Sequence, residues 1–393
     1  MTAIFLSPLY IAVNVYVAVR AIRWMTALWG RLGHPLVKGI FVTVFTLFAA
    51  TPLMAVLADT GEIHRILRYI SNCWLGVLGI TLAVLLIFDG ARLILNRTVW
   101  KGDTPSVKRL KRGGICAVLI IILLSLYGVY HGDRVYVREE RVVVPAQISG
   151  ELRIALIADL HLGYNTKQSH IDEVVRAVNE SNVDMVAVAG DVFDNQYAAI
   201  KDPDRLAASL SKMKSRYGTY VCWGNHDVEE KILAGFTFGG SEPKSDEQFR
   251  RFLKKADMTL LEDQKIVIGE SFCLAGRKDG SKAEKEGEER MSPKELLMDA
   301  PGDIPVIVMD HQPSDNERLA EAGADIILSG HTHDGQIFPA NLIMGMIYDN
   351  PYGVERYKES VSCVTSGAGL WGPPMRIGTD SEVMIIDVEF KEM

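Results

Sequence analysis

Four long apolar stretches crowd the first third of this 393-residue chain and limit what it can fold into. They run over residues 4–19, 39–57, 73–88 and 114–130. A bilayer core of about 30 Å is crossed by roughly 20 apolar residues in a helix. A soluble helix keeps one polar face because that face meets water. These stretches stay apolar all round, so the sequence predicts four membrane spans rather than a buried helical core. The first, flecked by Ser7 and Asn14, has no basic stretch ahead of it and no A-x-A site behind it. It therefore reads as a span and not as a cleaved leader.

Lys and Arg in the short loops set the expected orientation. The first loop holds Arg20, Arg23, Arg31 and Lys38, and the third holds Arg92, Arg97, Lys101, Lys108, Arg109, Lys111 and Arg112. The middle loop has Arg65 and Arg68, offset by Asp59 and Glu62. Loops one and three are thus expected in the cytoplasm, with the C-terminal part outside it. Asp89, beside Gly90 and Arg92, is expected at the interface. No constellation of intramembrane charges suggests a transporter.

Charge divides the chain the same way. Of 42 Lys+Arg and 49 Asp+Glu, residues 1–145 hold 16 and 7, and the remainder holds 26 and 42, a net of −16. Nucleic-acid binding draws its affinity from Lys and Arg on phosphates, so an acidic domain argues against a nucleic-acid partner and suits a site that gathers divalent cations. The domains expected are a four-helix anchor over 1–132 and a soluble domain over 145–393. Cys222, Cys273 and Cys363 fall in the soluble part and no C-x-x-C pair exists, so no zinc ribbon, thioredoxin motif or structural disulfide is expected.

The soluble part alternates strands and helices. Apolar runs over 152–158, 185–189, 219–223, 305–309 and 325–328 each end in a polar or Gly-containing turn, and helical patterns cover 171–181 and 203–215. Short continuous apolar strands between helices indicate a sheet buried on both faces. Residues 276–294, charged and poor in apolar side chains, read as an exposed loop.

The turns carry the chemistry. Asp159 and His161 follow the first run, Asp191 and Asp194 the second, Asn225 and His226 the third, His311 the fourth, and His331 and His333 the fifth. Imidazole and carboxylate are ordinary ligands for zinc, manganese and iron. Ligands of an open α/β sheet bind beyond its strand ends. The pairs Asp159/His161 and His331/His333 are spaced i, i+2; in an extended segment that spacing sends both side chains to one side. A lone D-x-H is commonly a surface loop. Five such motifs in order, each after a strand, point to one metal site.

The series Asp159-x-His161, Gly190-Asp191-x-x-Asp194, Gly224-Asn225-His226-Asp227, His311 and Gly330-His331-x-His333 resembles the calcineurin-like metallophosphoesterase superfamily over about residues 150–393. It is most similar to the bacterial membrane-associated branch, which more often has Gly where this chain has Asp334. The resemblance implies a four-layer α/β/β/α sandwich, here behind an all-α four-span region. It implies one metal on Asp159, His161, Asp191 and His333, and a second on Asp191, Asn225, His311 and His331, with Asp191 bridging. The ions would be manganese, iron or zinc. His226 would protonate the leaving oxygen, oriented by Asp194. The implied reaction is attack by a metal-bound hydroxide on a phosphate mono- or diester, lipid- or envelope-linked given the anchor.

The alternatives are a non-catalytic membrane sensor or scaffold, and hydrolysis of a UDP-diacylglucosamine pyrophosphate, which would face the cytoplasm against the expected orientation. Leu370, Trp371 and Met375 either touch an acyl chain or the membrane, or form a packed loop. Arg376 either holds a substrate phosphate or makes a surface salt bridge. Residues 236–261, with Phe238, Phe249 and Phe252, form either a cap or a plain amphipathic helix.

Overall fold

Apolar side chains face outward along four N-terminal helices and inward in the domain that follows. The structure, a computed structural model, describes residues 2–58, 61–101, 106–230, 232–233, 236–237 and 244–392. Two units form: one of Met1–Tyr130 with Ile232–Gly239 and Gly372–Met375, the other of the remaining chain.

In the first unit, α1 (Thr2–Leu28), α2 (Pro35–Leu57), α3 (Glu62–Arg97) and α4 (Val107–Gly132) contain the four predicted stretches. Each holds a segment long and apolar enough to cross a membrane. Side chains such as Leu53, Ile87 and Leu123 stand exposed, which a hydrocarbon surrounding stabilises and water does not. Pro35 opens α2, where its missing N–H breaks no helical bond. Asp89 is paired: Tyr16 Oη donates to it at 2.8 Å, and Arg20 forms an ion pair with it.

The second unit is built on two six-stranded sheets. The first comprises β1 (Val135–Ala146), β2 (Gly150–Ile157), β3 (Met185–Ala189), β4 (Thr219–Cys222), β7 (Met258–Leu260) and β14 (Ser381–Glu392), in the order β1-β14-β2-β3-β4-β7. The short β5 (Ile232–Leu233) and β6 (Phe236–Thr237), which belong to the first unit, pair with each other. The second sheet comprises β8 (Gln264–Ile268), β9 (Phe272–Gly276), β10 (Val306–Met309), β11 (Ile326–Ser329), β12 (Gly353–Tyr357) and β13 (Ser360–Val364), in the order β12-β13-β11-β10-β9-β8. β2, β3 and β4 run parallel, as do β10 and β11, so within each sheet their carboxyl ends point one way.

Period-two alternation sorts these strands between two cores. In β3, Met185 and Ala187 meet Leu274, Ile307 and Leu328 of the second sheet. Val186 and Val188 instead face α5 (Gln168–Glu180), α6 (Pro203–Leu210) and α7 (Lys244–Lys255) through Val174, Leu206 and Phe249. On the far side, α9 (Pro293–Leu297) and α10 (Asn316–Glu321) cover Val308 and Ile327 with Leu296 and Leu319. This is the expected four-layer α/β/β/α sandwich. β1 starts at Val135, ahead of residue 145, and pairs with β14 along its length. The five cysteines are free.

Residues 276–294 are not an exposed loop. They include α8 (Gly280–Glu286), and Arg277, Lys278, Asp279 and Lys282 are buried. Burial is tolerated because Asp279 accepts from the Ser281 amide and Gln312 Nε2, both at 2.8 Å, and the three cations are ion-paired. Arg277 bonds Asp310 at 2.9 Å and Asp315 at 2.7 Å, and Lys278 and Lys282 both reach Glu286 at 2.6 Å. Composition alone could not show this, since the partners of Arg277 lie in another segment. Phe249 and Phe252 of α7 pack on Phe193, at ring-centroid distances of 4.1 and 5.3 Å, as an amphipathic helix and not a cap. Phe238 lies outside the described residues.

Candidate metal centre

The turns that leave the parallel strands are sharply kinked rather than extended. Asp159, His161, Asp191, His331 and His333 all take positive φ, between 43° and 73°. Left-handed backbone costs a non-Gly residue on the order of 1–3 kcal/mol and gathers at functional sites. The i, i+2 pairs therefore converge through left-handed kinks, which correct the extended geometry expected for them. The glycines in these turns supply room: at Gly190 (φ +82°) a Cβ would lie 2.7 Å from His311 Nδ1.

Every expected ligand reaches one place. Asp159, His161 and His333 offer ligand atoms within 4.8 Å of one another; so do Asp191, His311 and His331, and so do His161, Asp194 and His226. His311 Nε2 lies 3.0 Å from Asp191 Oδ2 and 3.1 Å from Asn225 Oδ1. His161 Nε2 and His333 Nε2 stand 3.0 Å apart. Two nitrogens held about 2.1 Å from one ion at right angles would be separated by about 3.0 Å. His161 Nδ1 and Asp194 Oδ1 are buried without a hydrogen-bond partner among the described residues. The mixed N/O donor set, the nitrogen spacing and the strained turns fit divalent metal ions.

Backbone amides orient the carboxylates. The His331 amide donates to Asp159 Oδ2 at 2.9 Å, and the His226 amide donates to Asp191 Oδ1 at 2.7 Å. His311 Nδ1 bonds the Ala189 carbonyl at 2.8 Å, which leaves Nε2 for the site. Burial pushes the Asp159 carboxyl up to about 6. Burial also raises Asp191, but His311, His226 and His161 outweigh it and hold Asp191 well below the usual carboxylate range. Burial drives His331 down to about 3 and His226 to about 4. His333 is also held low, by burial and then by the neighbouring His161 and Arg376. A neutral imidazole is the form that binds a metal, and burial favours it at His331 and His333, whereas at His161 and His311 the facing carboxylates outweigh burial and favour the charged form.

The orienting residue of His226 differs from the one expected. Asp194 does not hydrogen-bond His226; its Oδ1 faces His161 Nδ1 at 3.7 Å. His226 Nδ1 instead bonds Asn195 Oδ1. Asn195 is fully buried, takes φ 58°, and is locked to the same loop by its own amide on the His226 carbonyl at 3.1 Å. A residue one position past the motif was invisible as a partner because only the turn reveals its direction. Asp227, part of the motif but given no role by sequence, accepts from the amides of Gly224 at 2.7 Å and Phe193 at 2.9 Å and holds the loop shut.

Arg376 is fully buried, so neither expectation for it holds. Its guanidinium donates to the carbonyls of Ser366 at 2.6 Å, Gly369 at 3.0 Å and His333 at 3.2 Å, and so ties loop 366–369 to a candidate ligand. The Trp371 ring stands 6.0 Å from that of His226, and its backbone pairs with the Gln336 side chain at 2.9 Å in both directions. Asp334 has φ 46°, a conformation glycine adopts at no steric cost.

Residues 152–335 match the family model described as calcineurin-like phosphoesterase. This part of the chain belongs to the calcineurin-like metallophosphoesterase family. Among relatives, an uncharacterized metallophosphoesterase of Helicobacter pylori (strain J99) is 31% identical over 60% of this chain and 60% of its own length. One of Campylobacter jejuni is 26% identical over 96% of both chains. A Danio rerio protein named transmembrane protein with metallophosphoesterase domain is 30% identical over 69% of this chain and 62% of its own. The UDP-2,3-diacylglucosamine pyrophosphatase LpxG of Chlamydia trachomatis is 23% identical over 47% of this chain and 64% of its own. The match thus spans about three-fifths of the length of the Helicobacter relative.

Proposed function

We propose that this protein is a membrane-anchored, metal-dependent hydrolase of phosphate mono- or diesters, acting on a lipid- or envelope-linked phosphate outside the cytoplasm. The observation that carries the reading is the convergence of three carboxylate–imidazole groups beyond the ends of β2, β3, β4, β10 and β11. Asp159, His161, Asp191 and His333 would hold one divalent ion and Asp191, Asn225, His311 and His331 a second, with manganese, iron or zinc all suited to the donors. Such ions supply Lewis-acid polarisation of the phosphate and an acidified water.

The chain's own groups do the rest. His226 stays outside both ligand sets. Its Nδ1 is committed to Asn195, so Nε2 is the nitrogen left to serve a leaving oxygen. An arriving phosphate anion favours the imidazolium, which loads Nε2 with the proton that oxygen takes. Asn225 contributes an uncharged oxygen, which limits the negative charge facing an anionic substrate. Tethering to a membrane raises the local concentration of a lipid-linked substrate.

Hydrolysis of p-nitrophenyl phosphate and bis(p-nitrophenyl) phosphate, read as p-nitrophenol, and of a lipid phosphate, read as phosphate, by the full-length protein tests this. Activity should vanish on chelation and return with Mn²⁺, Zn²⁺ or Fe²⁺. Full metal binding without turnover on any of them would favour the sensor or scaffold. The Chlamydia relative's name supports a second reading, pyrophosphate hydrolysis of a UDP-linked diacylglucosamine. A reporter active only in the cytoplasm, fused after Met393, separates the two: a signal would contradict the orientation proposed here.

A further inference from the structure

α8 brings buried charge against the loop that carries His226. Lys282 and Lys285 stand three residues apart, so they share one face of the helix. The Lys282 ammonium donates to the Asp227 carbonyl at 2.8 Å, and that of Lys285 donates to the Asn225 carbonyl at 3.1 Å. The two carbonyls flank His226 in the chain. Each lysine is also held from behind. Lys282 pairs with Glu286 at 2.6 Å and lies 4.7 Å from the Trp223 ring centroid. Lys285 pairs with the buried Glu230 at 2.9 Å, and the Glu230 amide donates to the Asn195 carbonyl at 3.0 Å. Asn195 is the partner of His226 Nδ1. The helix is fixed at its start as well. Asp279 caps it by accepting from the Ser281 and Lys282 amides, and Gln312, one residue past His311, donates to the same carboxylate.

A lysine is almost never fully buried unless paired, and replacing a buried ion pair with apolar groups often costs no stability. Stability alone therefore gives no reason to bury Lys282. The carbonyls that the two ammoniums reach do give one. A charge-assisted hydrogen bond is roughly twice as strong as a neutral one, and two of them restrict the backbone on both sides of His226. We propose that Lys282 and Lys285 are positioning residues that clamp loop 225–227 and so fix where His226 Nε2 meets the leaving oxygen. The positioning role rests on the hydrolysis proposed above, whereas the clamp itself can be read without turnover.

The test uses full-length Lys285→Met and the double variant Lys285→Met, Glu230→Gln, which also removes the carboxylate that the first change strands. Hydrogen–deuterium exchange reads the clamp. Amides of 225–228 should exchange at least about tenfold faster than in the unsubstituted protein, with β10 unchanged. Steady-state kinetics read the positioning. A p-nitrophenolate leaves with little help from an acid, whereas an unactivated phenolate needs the proton. The kcat for phenyl phosphate should therefore fall by about ten- to a hundredfold with KM unchanged, and the fall on p-nitrophenyl phosphate should be smaller. Lys285→Arg, which keeps a cationic donor, should restore kcat. Unchanged exchange in both variants would overturn the clamp. A raised KM with kcat kept would make Lys285 a substrate contact, and equal losses on the two esters would take His226 out of the effect; either overturns the positioning role. If the unsubstituted protein hydrolyses neither ester, the proposed reaction fails and the exchange result alone decides the clamp.

Discussion

The two sheets build opposite walls of the candidate metal centre from unlike chemistry. The first contributes every carboxylate, Asp159, Asp191 and Asp194, together with His161, Asn225 and His226. The second contributes imidazoles alone, His311, His331 and His333. The walls are also held differently. Backbone amides grip the carboxylates of the first wall. The second is backed by buried ion pairs, with Asp310, next to His311, bonded by Arg277 at 2.9 Å and by Arg290 at 3.2 Å. The lesson is that backbone donors from other turns, His331 among them, fix the carboxylates of the first wall, whereas buried side-chain ion pairs back the second.

The comparison can be broken by substitution. The largest effect is expected for Asp191→Ala, which removes the carboxylate shared by both proposed ligand sets. Metal content by elemental analysis and turnover should both fall to background; retention of either ion would contradict a shared role. Arg277→Met should come next, because it leaves the buried Asp310 with Arg290 alone. Breaking a buried pair costs about 3–5 kcal/mol, a fall in Tm on the order of 10 °C, readable by calorimetry. An unchanged Tm would show that Arg290 alone suffices. Asn195→Ala should leave metal content intact and lower turnover by about tenfold. A similar loss in Asp194→Ala with Asn195→Ala silent would restore the carboxylate as the orienting group. The smallest change is expected for Asp334→Gly. Relief of a left-handed residue is offset by the entropy glycine brings to the unfolded chain, so Tm should move by no more than about 2 °C.

How much was legible follows the same division. Strand-end motifs carry their meaning in adjacent residues, so Asp159 through His333 could be read in order, and the four apolar stretches announced the helices of the membrane unit. Pairing across the chain could not be read. Asn195 reaches His226 only because of its left-handed turn, Arg376 is buried by loop carbonyls 7–10 residues away or at His333, and Arg277 and Arg290 of 276–294 are partnered by Asp310 and Asp315. β1 escaped notice because its partner, β14, closes the sheet from the other end of the chain. Hydrophilic composition predicts exposure only when the partners of the charges are unknown.

The central claim is that His226 works beside the metals without holding them. It is tested most directly by measuring metal content and turnover on one preparation of full-length His226→Ala. The account predicts metal occupancy equal to that of the unsubstituted protein and turnover lower by about 10²–10⁴-fold. Loss of metal in step with activity would contradict it and would make His226 a ligand.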